Sequence, residues 1–534
     1  MARRTGIITR TAAAALTALT AGALTACLPA SGGTDDDGTG AVPPGAAAEC
    51  PAVKAPGDSR RRQLRGMWIA TVGGIDWPKG KTEKAQKDDY RRLLDTAQAM
   101  NLNAVFVQIR PNSDAFYPSP YEPWSQWITG TPGKDPGYDV LGFMLKEAHA
   151  RGLEFHAWFN PYRISRQADL NKLAPGSPAR KHPDWVRKYG KGLWYDPGLP
   201  QVRELATNAV MDVVRKYDID AVHFDDYFYP YPEGGAEYPD QATYRTHGKG
   251  LSKADWRRRN VDTLVRDLSA EIHKAKPHVR FGISPFGVWR NTKNDPAGSP
   301  TDGALQSYDD QYADTRKWIK EGWIDYVTPQ LYWTIGDRPA DYARLVDWWA
   351  RQVQGTDVEL TIGQAAYRVG ESGPWKKAGE LSRHLDLNKR HPAVRGDVYF
   401  SAASLAGNKL RFAERLRKDH YARPAIPPVV RGRGGKAPTP VQNVQAKAGD
   451  DGVKIQWRPA KDADAYAVYR AEGQKPACAP VDPATLIAHI REGGGIIDRA
   501  AKRGTTYTYY VTALDRLHHE SAPARGATVA AAGG

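Results

Sequence analysis

Two adjacent carboxylates carry the strongest chemical signal in the chain. They lie in the run Ala221-Val222-His223-Phe224-Asp225-Asp226-Tyr227, which is apolar, aromatic and β-branched enough to form a buried strand. Side chains alternate across a strand, so Val222 and Phe224 share one face while Ala221, His223 and Asp225 share the other. Asp226 follows at the strand's exit. A close carboxyl pair suits glycoside hydrolysis, which needs an acid for the leaving oxygen and a second carboxylate as nucleophile, base or orienting group. In N-acetylated sugars the acetamide can be the nucleophile, with a carboxylate orienting it. Repulsion between two such groups keeps one of them protonated. Asp76, Asp114, Asp196 and Asp337 are further carboxylates that could complete the pair. A metal site built on His223, Asp225 and Asp226 is the competing use, but no His-x-His or spaced acid set completes it. There is no Gly-x-Ser-x-Gly elbow, no phosphate loop and no zinc-type Cys pair.

The elements around this run set its position. From Arg65 to about His420, strand-like and helical stretches alternate eight times. The strands are expected at 65–71, 103–110, 153–160, 219–227, 279–288, 324–333, 358–365 and 397–405. The helices are expected at 84–100, 140–151, 202–217, 256–274, 308–321, 340–352, 377–389 and 409–419. Eight such units imply an α/β fold, a closed (β/α)8 TIM barrel, with its site at the C-terminal strand ends. An open doubly wound sheet would want a glycine-rich turn after its first strand, and none is present.

Within a barrel, the same alternation turns Gln108, Arg110, His156, Asn160, Ser284, Gln330 and Tyr332 inward. The loops add Asp114, Arg163, Asp196, Tyr227, Tyr367 and Arg368. Arg110, Asp114, His156, Asn160, Arg163, Asp196, His223, Tyr227, Gln330, Tyr332, Tyr367 and Arg368 are therefore the expected sugar-binding set, with Asp225 and Asp226 as the catalytic centre. Water is the co-substrate, with no cofactor and no metal. The end of the seventh strand, Gln364 to Arg368, holds no carboxylate. That absence supports an alternative, a non-catalytic glycan-binding protein on a barrel scaffold.

Composition is consistent with a folded, exported protein. The 534 residues are 41% hydrophobic and 25% charged, with 16 Trp and 26 Tyr whose flat faces suit sugars. Net charge is +15, yet no short segment concentrates basic and aromatic residues, so nucleic acid is not an expected partner. Residues 1–26 read as an export signal with Arg3, Arg4 and Arg10 at its start, and its removal leaves about +12. The Arg3-Arg4 pair is compatible with twin-arginine export. Leu24-Thr25-Ala26-Cys27 has the form of a bacterial lipobox, which would lipidate Cys27 and hold the protein on the outer face of the cell membrane. Residues 27–60 form a Gly-, Ala-, Pro- and Ser-rich tether. Cys50 and Cys478 then remain as a candidate disulfide.

Several runs together resemble one family. They are Arg65-Gly66-Met67-Trp68-Ile69, Ile75-Asp76-Trp77-Pro78, Gln108-Ile109-Arg110-Pro111 with Asp114-Ala115-Phe116-Tyr117, Ala157-Trp158-Phe159-Asn160-Pro161-Tyr162-Arg163, Asp196-Pro197-Gly198, and His223-Phe224-Asp225-Asp226-Tyr227-Phe228-Tyr229-Pro230. Their order and content resemble the glycosyl hydrolase-like 10 family of bacterial, often lipid-anchored barrels. The resemblance implies hydrolysis of cell-wall glycan, with peptide-free peptidoglycan strands as the substrate class, and it supports Asp225 and Asp226 as catalytic candidates.

The barrel is expected over 61–421, a Pro-, Gly- and Arg-rich linker over 422–437, and a second domain over 438–530. That domain's runs at 453–457, 465–470 and 506–515, with Trp457, Tyr507 and Tyr509 as core residues, look like an immunoglobulin-like fibronectin type III sandwich. Its expected task is to space the barrel or dock it on the wall.

Overall fold

Eight short parallel strands close on one another in sequence order. They are β1 (Leu64–Ile69), β2 (Ala104–Arg110), β3 (Glu154–Phe159), β4 (Ala221–Phe224), β5 (Arg280–Ile283), β6 (Tyr326–Val327), β7 (Glu359–Gln364) and β8 (Val394–Tyr399), with β8 pairing back to β1. The computed structural model describes residues 62–532 except 304 and 480. The leader, Cys27, the tether and Cys50 lie outside the described residues.

The helices between the strands are α1 (Glu83–Ala99), α2 (Val140–His149), α3 (Pro200–Lys216), α4 (Lys253–Ala275), α5 (Thr315–Lys320), α6 (Tyr342–Gln352), α7 (Glu380–Asn388) and α8 (Phe412–Asp419). Local chemistry starts them. Thr82, Asp139 and Ser252 accept hydrogen bonds from the backbone N–H groups of Ala85, Gly142 and Asp255 at the first turns of α1, α2 and α4. In α1 the buried Gln86, Tyr90, Leu93, Leu94 and Ala97 form one stripe against the barrel. The helix expected over 308–321 is split. Tyr312 takes a positive φ of 54°, and Asp314 then caps a fresh start for α5. The last strand ends at Tyr399, and residues 402–407 form a short helix instead of continuing it.

The interior of the barrel is a layered core of its own. Leu64, Trp68, Phe106, Trp158, Ala221, Tyr326 and Val398 pack inside, while Val222 and Phe224 join the larger core between strands and helices. Space inside is rationed. A Cβ added at Gly282 would lie 2.1 Å from the Tyr326 ring, so the ring occupies what a side chain on β5 would need.

A β-sandwich follows, built from β9 (Gln442–Gly449), β10 (Gly452–Arg458), β11 (Ala465–Glu472), β12 (Leu486–Ile490), β13 (Gly495–Asp498), β14 (Thr506–Leu514) and β15 (Ala527–Ala530). One sheet has the order β9-β10-β13 and the other β12-β11-β14-β15. Trp457, Tyr507 and Tyr509 are in its core. Cys478, which precedes β12, is disulfide-bonded.

The sandwich docks on the barrel's own floor, the N-terminal strand ends. Arg491 donates to Asp220 at 2.6 Å, His518 Nε2 meets Glu154 at 2.7 Å, and Arg516 reaches Asp218. A Cβ at Gly152, whose φ is +71°, would lie 2.7 Å from the His489 carbonyl. The Pro-rich connector is packed as well. Ile426 and Val430 are buried, Gln63 N–H donates to the Ile426 carbonyl, and Arg433 pairs with Asp325. Barrel, connector and sandwich form one compact unit. Among the described residues, no helix is long and apolar enough to cross a membrane.

Candidate active site

At the C-terminal end of the barrel lies a pocket of about 240 Å³ that contains both aspartates. Trp68, Trp158, Tyr332 and Phe400 form aromatic walls, and Ile75 and Tyr367 stand on the rim, 45% and 46% exposed. Aromatic faces set among polar side chains such as Gln108, Arg163, Ser284 and Gln330 suit a sugar ring and its hydroxyls.

Asp225 sits one residue past β4 and is buried. Its Oδ2 accepts from Trp158 Nε1 at 3.0 Å and Asn160 Nδ2 at 2.6 Å, and its Oδ1 accepts from the Tyr227 backbone N–H at 3.0 Å. Burial and the neighbouring Asp226 push its pKa up to about 7, against the hydrogen bonds that favour the anion. Asp226 is also raised by burial, but three side chains support its charge. Tyr231 donates its hydroxyl and Gln311 its amide to Oδ2, and Gln330 donates to Oδ1 at 3.1 Å. Gln311 also holds the Asp226 carbonyl at 2.7 Å. In both residues Oδ2 has two donors and Oδ1 only one. Each Oδ1 therefore keeps a lone pair that can carry a proton or face a substrate.

Arg163 closes the β3 side. Its guanidinium lies 4.5 Å over the Tyr227 ring and donates to Asn112 Oδ1 at 3.1 Å. A small three-stranded sheet of Arg163–Ser165, Gly192–Tyr195 and Val186–Tyr189 backs this wall, with Trp194 stacked on Tyr227.

Of the expected sugar-binding residues, Arg163, Tyr227, Gln330, Tyr332 and Tyr367 line the pocket with Asp225 and Asp226. The others have different tasks. Arg110 is a strut, because its guanidinium is buried in a two-pronged ion pair with Glu122 and also holds the Asn160 carbonyl. Asn160 lies behind Asp225 and is itself fixed by Gln108. Asp196 caps Gly198 N–H and pairs with Arg187 and Thr243 away from the pocket. Arg368 donates to the Tyr332 carbonyl and pairs with Glu371. Asp114 lines a different cavity. Asp76 is a clamp. It accepts from Ala70 N–H, Ser401 Oγ and Ala403 N–H, tying the loop after β1 to the loop after β8. Asp337 is not among the residues lining the pocket.

His223 and His156 belong to a polar chain down the barrel axis. Trp68 Nε1–H can only donate, so His223 Nε2 accepts it at 3.2 Å. His223 Nδ1–H then donates to Tyr326 Oη at 3.1 Å, and the phenol to His156 Nδ1 at 2.9 Å. His156 Nε2 ends the chain 3.2 Å from Glu154 and 3.3 Å from Arg280 Nη2. Burial pushes both imidazoles below their usual pKa, His223 strongly, which keeps them neutral as this pattern requires.

Tyr231, Gln311, Trp68 and Glu122 were not singled out from sequence. Tyr231 continues the Tyr227–Pro230 run and was reachable by extending it one residue. Gln311 arrives from a loop far along the chain and Glu122 from the loop directly after β2, and no local pattern marks either. Among the described residues, no group of three or more His, Cys, Asp or Glu side chains is arranged to hold a metal ion.

Acid chemistry at a sugar-sized, aromatic-walled opening of a TIM barrel is the province of glycoside hydrolases, and barrel and site assign the chain to that class. The chain belongs to the glycosyl hydrolase-like 10 family, which it matches over residues 63–378, and it carries a fibronectin type III domain over 441–530. It is 48% identical over 483 residues to "Glycosyl hydrolase YngK" of Bacillus subtilis, covering 88% of this chain and 93% of that protein. It is 43% identical over 363 residues to "Glycosyl hydrolase DigH" of Escherichia coli K12, covering 63% and 82%. Among solved structures, the PgaB (BpsB) glycoside hydrolase domain from Bordetella bronchiseptica aligns at 15% identity with a TM-score of 0.46, covering 67% of this chain and 99% of that one.

Proposed function

We propose that this glycoside hydrolase cuts the glycan of the bacterial cell wall, with peptide-free peptidoglycan strands as its substrate, while held by a lipidated Cys27 on the outer face of the cell membrane. Its relatives are named glycosyl hydrolases. The lipobox-like run and the aromatic-walled pocket support the place and the ligand. The observation that carries the chemistry is a pair of neighbouring buried carboxyls, each with a free site on Oδ1, whose closeness favours one proton on the pair. Burial beside Asp226 pushes the Asp225 pKa up to about 7, and a phenol and two amides favour the Asp226 anion against its own burial. Asp225 then gives its proton to the leaving oxygen, and Asp226 stays charged against the positive character that develops at the anomeric carbon or on an acetamide attacking it. Arg163 and Tyr227 shape one side of the opening, and Tyr332 and Tyr367 the other.

The test is a digest of peptide-free peptidoglycan strands by the whole chain, read by mass spectrometry. Shorter saccharides that disappear with Asp225→Asn are the expected result. Intact strands, with a native circular dichroism spectrum, would refute the substrate.

A further inference from the structure

A second cavity of about 450 Å³ opens beside the catalytic pocket and is assigned no role by the chemistry above. It is built from the loops that follow β2 and β3, so it belongs to the same end of the barrel. The partition between the two is the Arg163–Asn112 contact. Arg163 lines the catalytic pocket, while Asn112 and the residues directly after Arg163 line the second cavity.

Its walls combine two kinds of recognition. Trp124 and Trp127 are half-buried, each packed on the hydrophobic core and each lining the cavity. Indoles in that setting offer a pyranose a flat apolar platform. Arg166 and Lys172 stand exposed on the rim, and among the described residues neither side chain has an ion-pair or hydrogen-bond partner. Asp114 is the one acidic residue lining the cavity. It accepts the Asn112 N–H at 3.0 Å and is thereby turned onto its own loop.

We infer that this cavity is a remote subsite for an acidic sugar, a pyranose bearing a carboxylate, on a strand whose neighbouring residues occupy the catalytic pocket. The indoles take the ring and the Arg166–Lys172 pair takes the carboxylate. The subsite rests on the polysaccharide substrate proposed above and adds to it a demand for negative charge at a distance from the bond that is cut.

Binding is measured with the intact chain carrying Asp225→Asn, so that strands are not consumed, through quenching of indole fluorescence. The probes are peptide-free peptidoglycan strands and the same strands with their lactyl carboxylates reduced to alcohols. Two solvent-exposed charges are worth roughly five- to tenfold in affinity. Native strands are expected to bind tighter than reduced strands by about that factor, with the difference shrinking at high salt. Arg166→Gln with Lys172→Gln is expected to abolish the preference, and as surface changes they leave the fold intact. A double variant that still prefers native strands overturns the subsite, as does a parent that binds both probes equally. The wild-type digest separates this from the substrate proposal. Strands that are cut without a carboxylate preference refute the subsite alone. Strands that bind with the preference yet stay uncut refute the substrate alone. Strands neither bound nor cut refute both.

Discussion

Asp225 is the residue whose environment makes the sharpest demands on experiment. If its protonated form gives the proton, kcat falls as pH rises through about 7. The acid limb reports Asp226 and lies above the ordinary carboxylate range, because burial raises that group too. Asp225→Asn and Asp226→Asn are each expected to lower kcat by roughly 10²–10⁴ with little change in circular dichroism. Asn160→Ala removes a donor that stabilises the Asp225 anion, so the alkaline limb of the pH–rate profile is expected to move upward. An unmoved limb would assign that limb to another group. The same burial has a signature in stability. The folded pKa of Asp225 lies above its unfolded value near 4, so the native state holds the extra proton between about pH 4 and 7, and stability falls across that window. Asp225→Asn is expected to flatten that part of a Tm–pH curve.

At the scale of elements, the site depends on loops pinned by buried charge. Removing one partner of the Arg110–Glu122 pair leaves the other buried and uncompensated. Glu122→Ala is thus expected to cost about 3–5 kcal/mol in urea unfolding, well beyond an exposed pair such as Arg411–Glu414. Asp76→Ala frees the loops after β1 and β8, which carry Ile75 and Phe400, and is expected to raise KM more than it lowers kcat. The order of these elements was legible in sequence because strands and helices differ in hydrophobic period, and eight alternations leave one closed solution. The inward facing of His223, Gln108 and Ser284 followed from a period of two. The partner of Arg110 was not legible, because Glu122 reaches it from a loop with no periodicity. Nor was the task of His156, since alternation places a side chain inside the barrel without saying how deep it lies. Residues near the strand ends reach the pocket, while His156, near the start of β3, joins the axial chain instead.

For the molecule as a whole, the sandwich completes the barrel. Its strand pattern and core residues were readable from alternation, but its docking was not, because Arg491, His518 and Arg516 look like ordinary surface charges until the floor is assembled. Glu154 shows what the contact is worth. Burial alone would raise its pKa, yet Arg280 and His518 hold it well below the usual carboxylate range. A chain ending at Tyr421 would expose Glu154 and strip Asp220 of Arg491. It is expected to unfold at a lower temperature than the intact protein, whereas the intact protein unfolds in one calorimetric transition. Two separate transitions would show that the domains melt independently.

The entry of the chain has a mechanical consequence. Arg62, just before β1, is stitched to the Pro427 and His518 carbonyls and to Glu520, at the floor and beside the sandwich. Tension applied through the preceding residues is therefore met by the connector and the sandwich before it reaches the strands. Arg62 and the catalytic pocket lie at opposite ends of the barrel, so a load entering at Arg62 is carried by the floor and spares the loops that shape the pocket.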